Sequence, residues 1–109
     1  MNNKKLNVWL AEKIMGWNLI QNMWVDNITH VKISKKEWLP TKRVEQALIC
    51  VEKCCIENKK FFDLNRNSLT CEKPWSARVR RVEDGIKAFS LGITAAEVIC
   101  KAIYESMSK

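Results

Sequence analysis

The fold is decided by the stretch at residues 75–89, which reads WSARVRRVEDGIKAF. Residues 75–82 alternate between apolar and polar side chains, which is typical of a strand with one buried face. Asp84 and Gly85 follow, a dipeptide that favours the two-residue turns of β-hairpins. Residues 86–89 have the composition of a returning strand. The stretch therefore predicts an antiparallel hairpin.

The segment after this hairpin predicts a helix that packs on the sheet. Thr94 and Glu97 fit a capping box, in which the threonine hydroxyl accepts from the glutamate amide and the carboxylate reaches back to the threonine amide. An apolar stripe with helical spacing then runs through Val98, Ile99, Ala102, Ile103 and Met107.

Two further amphipathic patterns lie upstream of the hairpin. Residues 5–17 carry apolar side chains at helical spacing, and they predict a first helix that Gly16 ends in the left-handed conformation. Pro40 and Thr41 introduce a second helix, with Thr41 as its cap. The apolar stripe of this helix is predicted at Val44, Leu48, Val51 and Cys55, with Ala47 and Cys54 beside it.

Strands fill the intervals between the helices. Aromatic and branched residues between 17 and 33 indicate one or two short strands, and residues 61–64 indicate another. The predicted order is helix, one or two strands, helix, several strands, helix. A small, mostly antiparallel sheet sandwiched by helices is an α+β fold, and we expect it to form a single domain over residues 1–109.

Length and composition exclude several classes of protein. The chain has 109 residues, of which 47% are hydrophobic, so it can bury one core and is not a disordered chain. No apolar run approaches the roughly 18 residues of a membrane span. The first residues lack the apolar segment of a signal peptide. We therefore expect a soluble cytoplasmic protein without a membrane partner.

Four stretches carry a resemblance to a known family. They are LAEKIMGW at 10–17, WLPT at 38–41 followed by VEQALICVEK at 44–53, WSARV at 75–79, and GITAAEVICKA at 92–102. In this order they resemble the phage ABA sandwich domain family of small phage and prophage proteins. The resemblance implies an αβ sandwich and a bacterial host cytoplasm, but no defined reaction. Residues 53–74, rich in lysine and cysteine, depart from the family pattern.

Reactive residue types do not form a catalytic or metal-binding pattern. His30 is the only histidine, and no recognised nucleophile motif accompanies it, although a pair with one of the cysteines stays open. Cys50 and Cys54 lie one helical turn apart, but a zinc site takes four ligands. Five cysteines without a signal peptide are typical of buried free thiols. We therefore expect neither an enzyme nor a metal or cofactor site.

The charge of the protein favours an anionic partner. Nineteen basic against twelve acidic residues give a formal net charge of +7. Arg78 and Arg80 would project from one face of a strand about 7 Å apart, and with Arg81 they form the candidate anion-binding cluster. The alternative is that this strand face is solvated or pairs with carboxylates across the sheet.

Two of the five tryptophans are candidate interface residues. Trp24 and Trp38 stand in irregular segments near several lysines, where an exposed indole would anchor a partner or stack on a base. Packing in the core is the alternative for both.

These observations predict a non-enzymatic phage or prophage accessory protein that binds a host factor. The alternative function is binding or sequestration of an anionic ligand, a nucleotide signal or nucleic acid, through the basic strand face. We also expect a homo-oligomer, most simply a dimer, because the last helix and short edge strands offer surface to a symmetric partner.

Overall fold

The computed structural model describes residues 1–66, 72–81, 85 and 87–107. Its helices are α1 (Asn3–Trp9), which continues as a π-helical segment (Leu10–Ile14), α2 (Val44–Asn58) and α3 (Ala95–Met107). Between α1 and α2 lie β1 (Asn18–Ile20), β2 (Met23–Val25) and β3 (Lys32–Ser34). Between α2 and α3 lie β4 (Lys60–Arg66), β5 (Trp75–Arg81) and β6 (Lys87–Gly92).

The strands form two antiparallel sheets, each of three strands in chain order. The predicted α+β class is confirmed. The segment expected to hold one or two strands holds three, and these form a sheet of their own, β1-β2-β3. In the second sheet, β5 is central and pairs with β4 and β6 along its length.

The predicted hairpin is confirmed in its strand pairing. β5 and β6 are antiparallel, with Arg80 opposite Lys87. Gly85 adopts a left-handed φ of 70°, a conformation that glycine tolerates without steric cost. Residues 82–84 and 86, and with them most of the predicted turn, lie outside the described residues.

The first helix confirms the sequence pattern and its stop signal. Asn2 caps α1 through its side chain, which accepts from the Lys5 amide at 2.8 Å. The helical segment ends at Ile14 rather than Trp17, because Gly16 has the predicted left-handed φ, at 69°.

The start of the second helix differs from the prediction. Thr41 does not cap α2; the helix begins at Val44. The reason is an intervening turn, in which the amides of Lys42 and Arg43 both donate to the Leu39 carbonyl, at 2.9 and 2.8 Å. Thr41 is instead buried, and its amide donates to Asn7 Oδ1 at 3.1 Å.

The predicted apolar stripe of α2 is only partly confirmed. Ala47 and Cys54 are buried and Val51 packs against the core as expected, but Cys50 is also buried, whereas Val44 and Leu48 are exposed. Small side chains at this spacing let α2 approach α3 closely, and that contact sets which face of the helix is buried.

Helix α3 is the central element of the core. On one side Val98 and Ala102 pack against β5 and β6, and on the other Ile99 and Ile103 pack with α1 and α2. Gly92 allows the close contact of β6 with this helix, since a Cβ there would lie 2.6 Å from a methyl group of Val98. Met107, predicted in the buried stripe, is exposed near the end of the helix.

Only half of the predicted capping box forms at the start of α3. The Glu97 amide donates to the Thr94 hydroxyl at 3.3 Å, as expected. The Glu97 carboxylate does not bind the Thr94 amide. It accepts instead from Asn3 Nδ2 at 3.1 Å and Lys101 Nζ at 3.0 Å, because α1 lies beside this end of α3.

Candidate functional site

The second sheet has one face packed against α3 and an opposite face whose large apolar side chains are about half exposed. Because side chains alternate along a strand, Ala77 and Val79 point towards α3 and Arg78 and Arg80 point away from it. The register places residues of β4 and β6 beside these arginines. We call this surface the outer sheet face; it consists of Phe61, Asp63, Arg78, Arg80, Phe89 and Leu91.

Three large apolar side chains of the outer sheet face are about half exposed. The exposed fractions are 54% for Phe61, 55% for Phe89 and 46% for Leu91. They lie on the two outer strands, with the arginines of β5 between them. Exposed aromatic side chains next to arginines are typical of a protein-binding surface.

Arg78 is held by a carboxylate across the sheet. Its Nη2 lies 3.1 Å from Oδ2 of Asp63, the residue directly opposite on β4. Both side chains are about half exposed, so the pair contributes less than about 1 kcal/mol to stability. It fixes the direction of the guanidinium and compensates its charge.

Arg80 has a different neighbour. Its guanidinium carbon lies 5.2 Å from the ring centre of Phe61, the residue opposite on β4, which is the distance of a cation–π contact. No described carboxylate forms an ion pair with it. Among the described carboxylates, therefore, none compensates the charge of Arg80.

The predicted cluster of three arginines is only partly formed. Arg78 and Arg80 share the outer sheet face, but Arg81 lies on the opposite face of β5 because of the strand alternation. Arg81 is half-buried and sits opposite Lys60 of β4. It therefore does not belong with the other two.

The two candidate interface tryptophans are buried, so the prediction that they are exposed is wrong. Trp24 and Trp38 are each 2% exposed. Trp24 lies in the middle strand of the first sheet and belongs to the core. Trp38 donates from Nε1 to the Asn7 carbonyl at 2.9 Å and packs edge-on against Trp17. The segments are not irregular surface loops, because the first sheet and the loop after it fold onto α1.

The exposed aromatic residues of the site are Phe61 and Phe89, which sequence reasoning missed. The register of the three strands places them beside Arg80 and Arg78. The strands predicted at residues 61–64 and 86–89 do not by themselves indicate which of their faces is covered.

The described cysteines have the buried or half-buried surroundings of structural thiols. Cys50, Cys54 and Cys100 are buried and Cys55 is half-buried, while Cys71 lies outside the described residues. Burial raises the pKa of the Cys50 thiol to about 12 and that of Cys55 to about 11, and it raises the pKa of Cys54 and Cys100 as well. These thiols are protonated near neutral pH and are poor nucleophiles.

The remaining candidate for chemistry, His30, is exposed, whereas the described thiols are buried or half-buried. It belongs to the exposed loop between β2 and β3, where its amide donates to the Asp26 carbonyl at 2.8 Å. The described residues contain no group of three or more side chains that could hold a metal ion. Within the same part of the chain, no helix is long and apolar enough to cross a membrane.

Comparisons with known proteins agree with this architecture. The sequence profile of the Phage ABA sandwich domain family matches residues 8–104. A comparison with curated proteins finds no match. Among solved structures, the chain is similar to a phage protein from Bacillus cereus ATCC 14579, with a TM-score of 0.73 and 20% sequence identity. The alignment covers 100% of this chain and 90% of that protein, and at this identity it shows a shared fold.

Proposed function

Because the chain belongs to the Phage ABA sandwich domain family, we propose that it is a non-enzymatic phage accessory protein that binds a host protein through the outer sheet face. One observation carries the proposal: Phe61, Phe89 and Leu91 are about half exposed around two arginines on the sheet face opposite α3. Aromatic residues and arginine are enriched at protein interfaces.

The apolar side chains supply the binding energy in this proposal. Full burial of a phenylalanine or leucine side chain contributes about 1.5–3 kcal/mol, and Phe61, Phe89 and Leu91 each have about half of that still to gain. The contact with Arg80 restricts the Phe61 ring before a partner arrives, which lowers the entropy cost of binding.

The polar side chains supply the specificity. Asp63 and Arg78 present an acceptor and a donor side by side, held together across the two strands. Arg80 adds a positive charge without a carboxylate partner among the described residues. A partner surface that matches this face offers apolar contacts to the two outer strands and carries an acidic group opposite Arg80 of the central strand.

The non-enzymatic part of the proposal rests on the surroundings of the reactive residue types. The described thiols are buried or half-buried and their pKa values are raised. His30 lies on an exposed loop, and the residues that define the outer sheet face include no cysteine or histidine. This arrangement supports a role in binding without a cofactor.

A second candidate function is binding of an anionic ligand, a nucleotide or nucleic acid, at the same arginines. The stack of Arg80 on an exposed aromatic ring favours it, because single-stranded nucleic acid is bound by aromatic platforms next to cations. The Asp63 carboxylate beside Arg78 disfavours it, because it repels phosphate. The host protein is therefore the first proposal for this face.

We also propose a homodimer, although through a different helix from the one that the sequence suggested. The apolar stripe of α3 is buried within its own chain and is unavailable to a second copy. The outward side of α2 exposes Leu48, Ile49 and Ile56, at 45%, 47% and 71%. This side of α2 is the apolar surface that a second copy would cover.

Capture from host lysate tests the proposed function with two double variants. In Phe61→Ser/Phe89→Ser the outer sheet face loses both aromatic rings. In the control Ile28→Ser/Val31→Ser, two exposed apolar residues of the β2–β3 loop change in the same way. We expect wild type and control to retain the same host protein, and the face variant to retain at least about tenfold less of it.

Salt distinguishes the two candidate functions in the same experiment. An apolar protein interface keeps its partner between about 0.1 and 0.5 M NaCl, whereas binding of a polyanion weakens steeply over that range. Circular dichroism confirms that each variant is folded. Equal retention of the partner by the face variant would refute the host-protein proposal.

A further inference from the structure

A groove on the other half of the molecule is distinct from the outer sheet face. It lies between α1, the turn that joins β1 to β2, and residues 35–42, and its volume is about 920 Å³. Ligand pockets in proteins typically measure about 300–1,000 Å³. We call it the lysine groove, after Lys4, Lys35, Lys36 and Lys42, which line it.

The charge of the lysine groove is uncompensated. No aspartate or glutamate is among the described residues that line it. None of its four lysines takes part in an ion pair within the described part of the chain. Four like charges around one concavity repel one another and concentrate anions there.

The walls of the groove are fixed by buried hydrogen bonds. Asn7 of α1 accepts from the Thr41 amide through Oδ1 at 3.1 Å, and its carbonyl accepts from Trp38 Nε1 at 2.9 Å. Gln46 of α2 also binds this loop. Its Oε1 accepts from the Leu39 amide at 2.6 Å, and its Nε2 donates to the Glu37 carbonyl at 2.9 Å. The segment that carries three of the lysines is therefore positioned in advance of binding.

A buried hydroxyl of the groove lining has no hydrogen-bond partner among the described residues. It belongs to Thr41, which lines the groove and is 3% exposed, and whose Oγ1 bonds to no atom in this part of the chain. A buried polar group left unpaired costs about 1–3 kcal/mol, so most such groups are hydrogen-bonded to something. The Thr41 amide is already bonded to Asn7, so the hydroxyl is the group of this residue that a ligand in the groove could pair.

The groove also has an apolar part. The half-buried side chains of Val8, Met23 and Leu39 line it beside the lysines, and the almost fully buried Trp24 and Trp38 lie behind them. The volume and this apolar lining exceed what an inorganic phosphate ion requires. Lysines together with an apolar surface suit a ligand that has phosphate groups at one end and an aromatic ring at the other.

We propose that the lysine groove binds a phosphorylated small molecule of nucleotide size. The lysines bind its phosphate oxygens, the Thr41 hydroxyl donates to it or accepts from it, and its ring lies against the apolar lining. This places anion binding in the first half of the chain rather than at Arg78 and Arg80. The inference does not depend on the host-protein proposal, because the two surfaces share no residue.

Calorimetric titration of the full chain tests the inference with three probes: ATP, tripolyphosphate and adenosine. We expect ATP to bind most tightly, tripolyphosphate more weakly, and adenosine not measurably at about 1 mM. Binding should weaken as salt is raised, because lysine–phosphate attraction is screened. Absence of binding by both ATP and tripolyphosphate, or equal binding of adenosine and ATP, would overturn the proposal.

Two double variants with the same change of net charge locate the site. Lys35→Gln/Lys36→Gln should weaken ATP binding at least about tenfold. The control Lys13→Gln/Lys53→Gln, at lysines outside the groove lining, should change it less than about twofold. Equal losses in the two variants, or loss of binding in Arg80→Gln with the groove variant unaffected, would contradict this placement.

Thr41→Val separates a structural role of the hydroxyl from a role in binding. Valine has nearly the same shape, so removing an unpaired hydroxyl should leave the thermal midpoint of the free protein unchanged or raise it. The affinity for ATP should fall at least about threefold, as loss of one hydrogen bond implies. A lowered midpoint with unchanged affinity would show that the hydroxyl serves the fold alone.

Discussion

The outer sheet face and the lysine groove are both basic, yet their charges are arranged in opposite ways. On the sheet face Arg78 pairs with Asp63, and Arg80 lies over Phe61, so each cation is part of a surface that also exposes apolar rings. In the groove the lysines face a concavity without a lining carboxylate. The net charge of +7 therefore does not indicate the kind of partner unless the positions of the charged side chains are known. The first arrangement suits a protein surface, and the second suits a small anion.

The largest contrast between the two regions should appear in stability. Trp38 at the groove is buried, hydrogen-bonded and packed on Trp17, so Trp38→Ala should lower the free energy of unfolding by about 3–5 kcal/mol. Phe61 on the sheet face is about half exposed, and Phe61→Ala should cost less than about 1 kcal/mol. Urea denaturation measures both. Similar costs would mean that the sheet face is covered within the protein.

A smaller contrast is expected for two asparagines. Asn7→Ala removes the acceptor of the buried Thr41 amide beside the groove and should cost about 1–3 kcal/mol. Asn65→Ala changes an exposed residue of β4 and should alter stability by less than about 0.5 kcal/mol. An Asn7→Ala variant as stable as wild type would show that the groove wall is not held by this residue. Chemical denaturation at matched protein concentrations gives both values.

The smallest effect concerns Glu97, whose carboxylate links α3 to Asn3 at the edge of the groove. Hydrogen bonds from Lys101 and Asn3 hold the pKa of this carboxyl below its ordinary value. A lowered pKa in the folded state means stabilisation above the unfolded pKa of about 4.3 that is lost as the pH falls through the folded value. Because the side chain is partly exposed, we expect less than about 1 kcal/mol.

The thermal midpoint as a function of pH checks this expectation. Wild type should lose more stability than Glu97→Gln between about pH 5 and 3. The two proteins should differ most near neutral pH, where the carboxylate is fully ionised. Parallel pH profiles for the two proteins would show that the hydrogen bonds of Glu97 do not stabilise the fold.

The sequence predicted most of the helices and strands, because their conformation depends mainly on residues that are close together along the chain. The alternation along residues 75–82 and the left-handed Gly16 are consequences of short-range geometry. The phase of the α2 stripe was not predictable in this way. Leu48 is more apolar than Cys50, yet Cys50 is buried because small side chains permit the close contact with α3. Tertiary packing therefore determines which side of α2 is buried.

The candidate sites were less accessible to sequence reasoning than the fold. Arg78 and Arg80 were found because they lie on one strand, but Phe61 and Phe89 join them only through the register of three strands. The lysine groove combines Lys4 with residues some thirty positions later, which only the folding of the first sheet onto α1 brings together. No periodicity connects residues of such separate segments.

One measurement tests the separation of the two surfaces most directly. The host protein that wild type retains from lysate is quantified in parallel for Phe61→Ser/Phe89→Ser and for Lys35→Gln/Lys36→Gln. The account predicts loss of at least about tenfold with the first variant and a change of less than about twofold with the second. Retention by the sheet-face variant together with loss in the groove variant would contradict it.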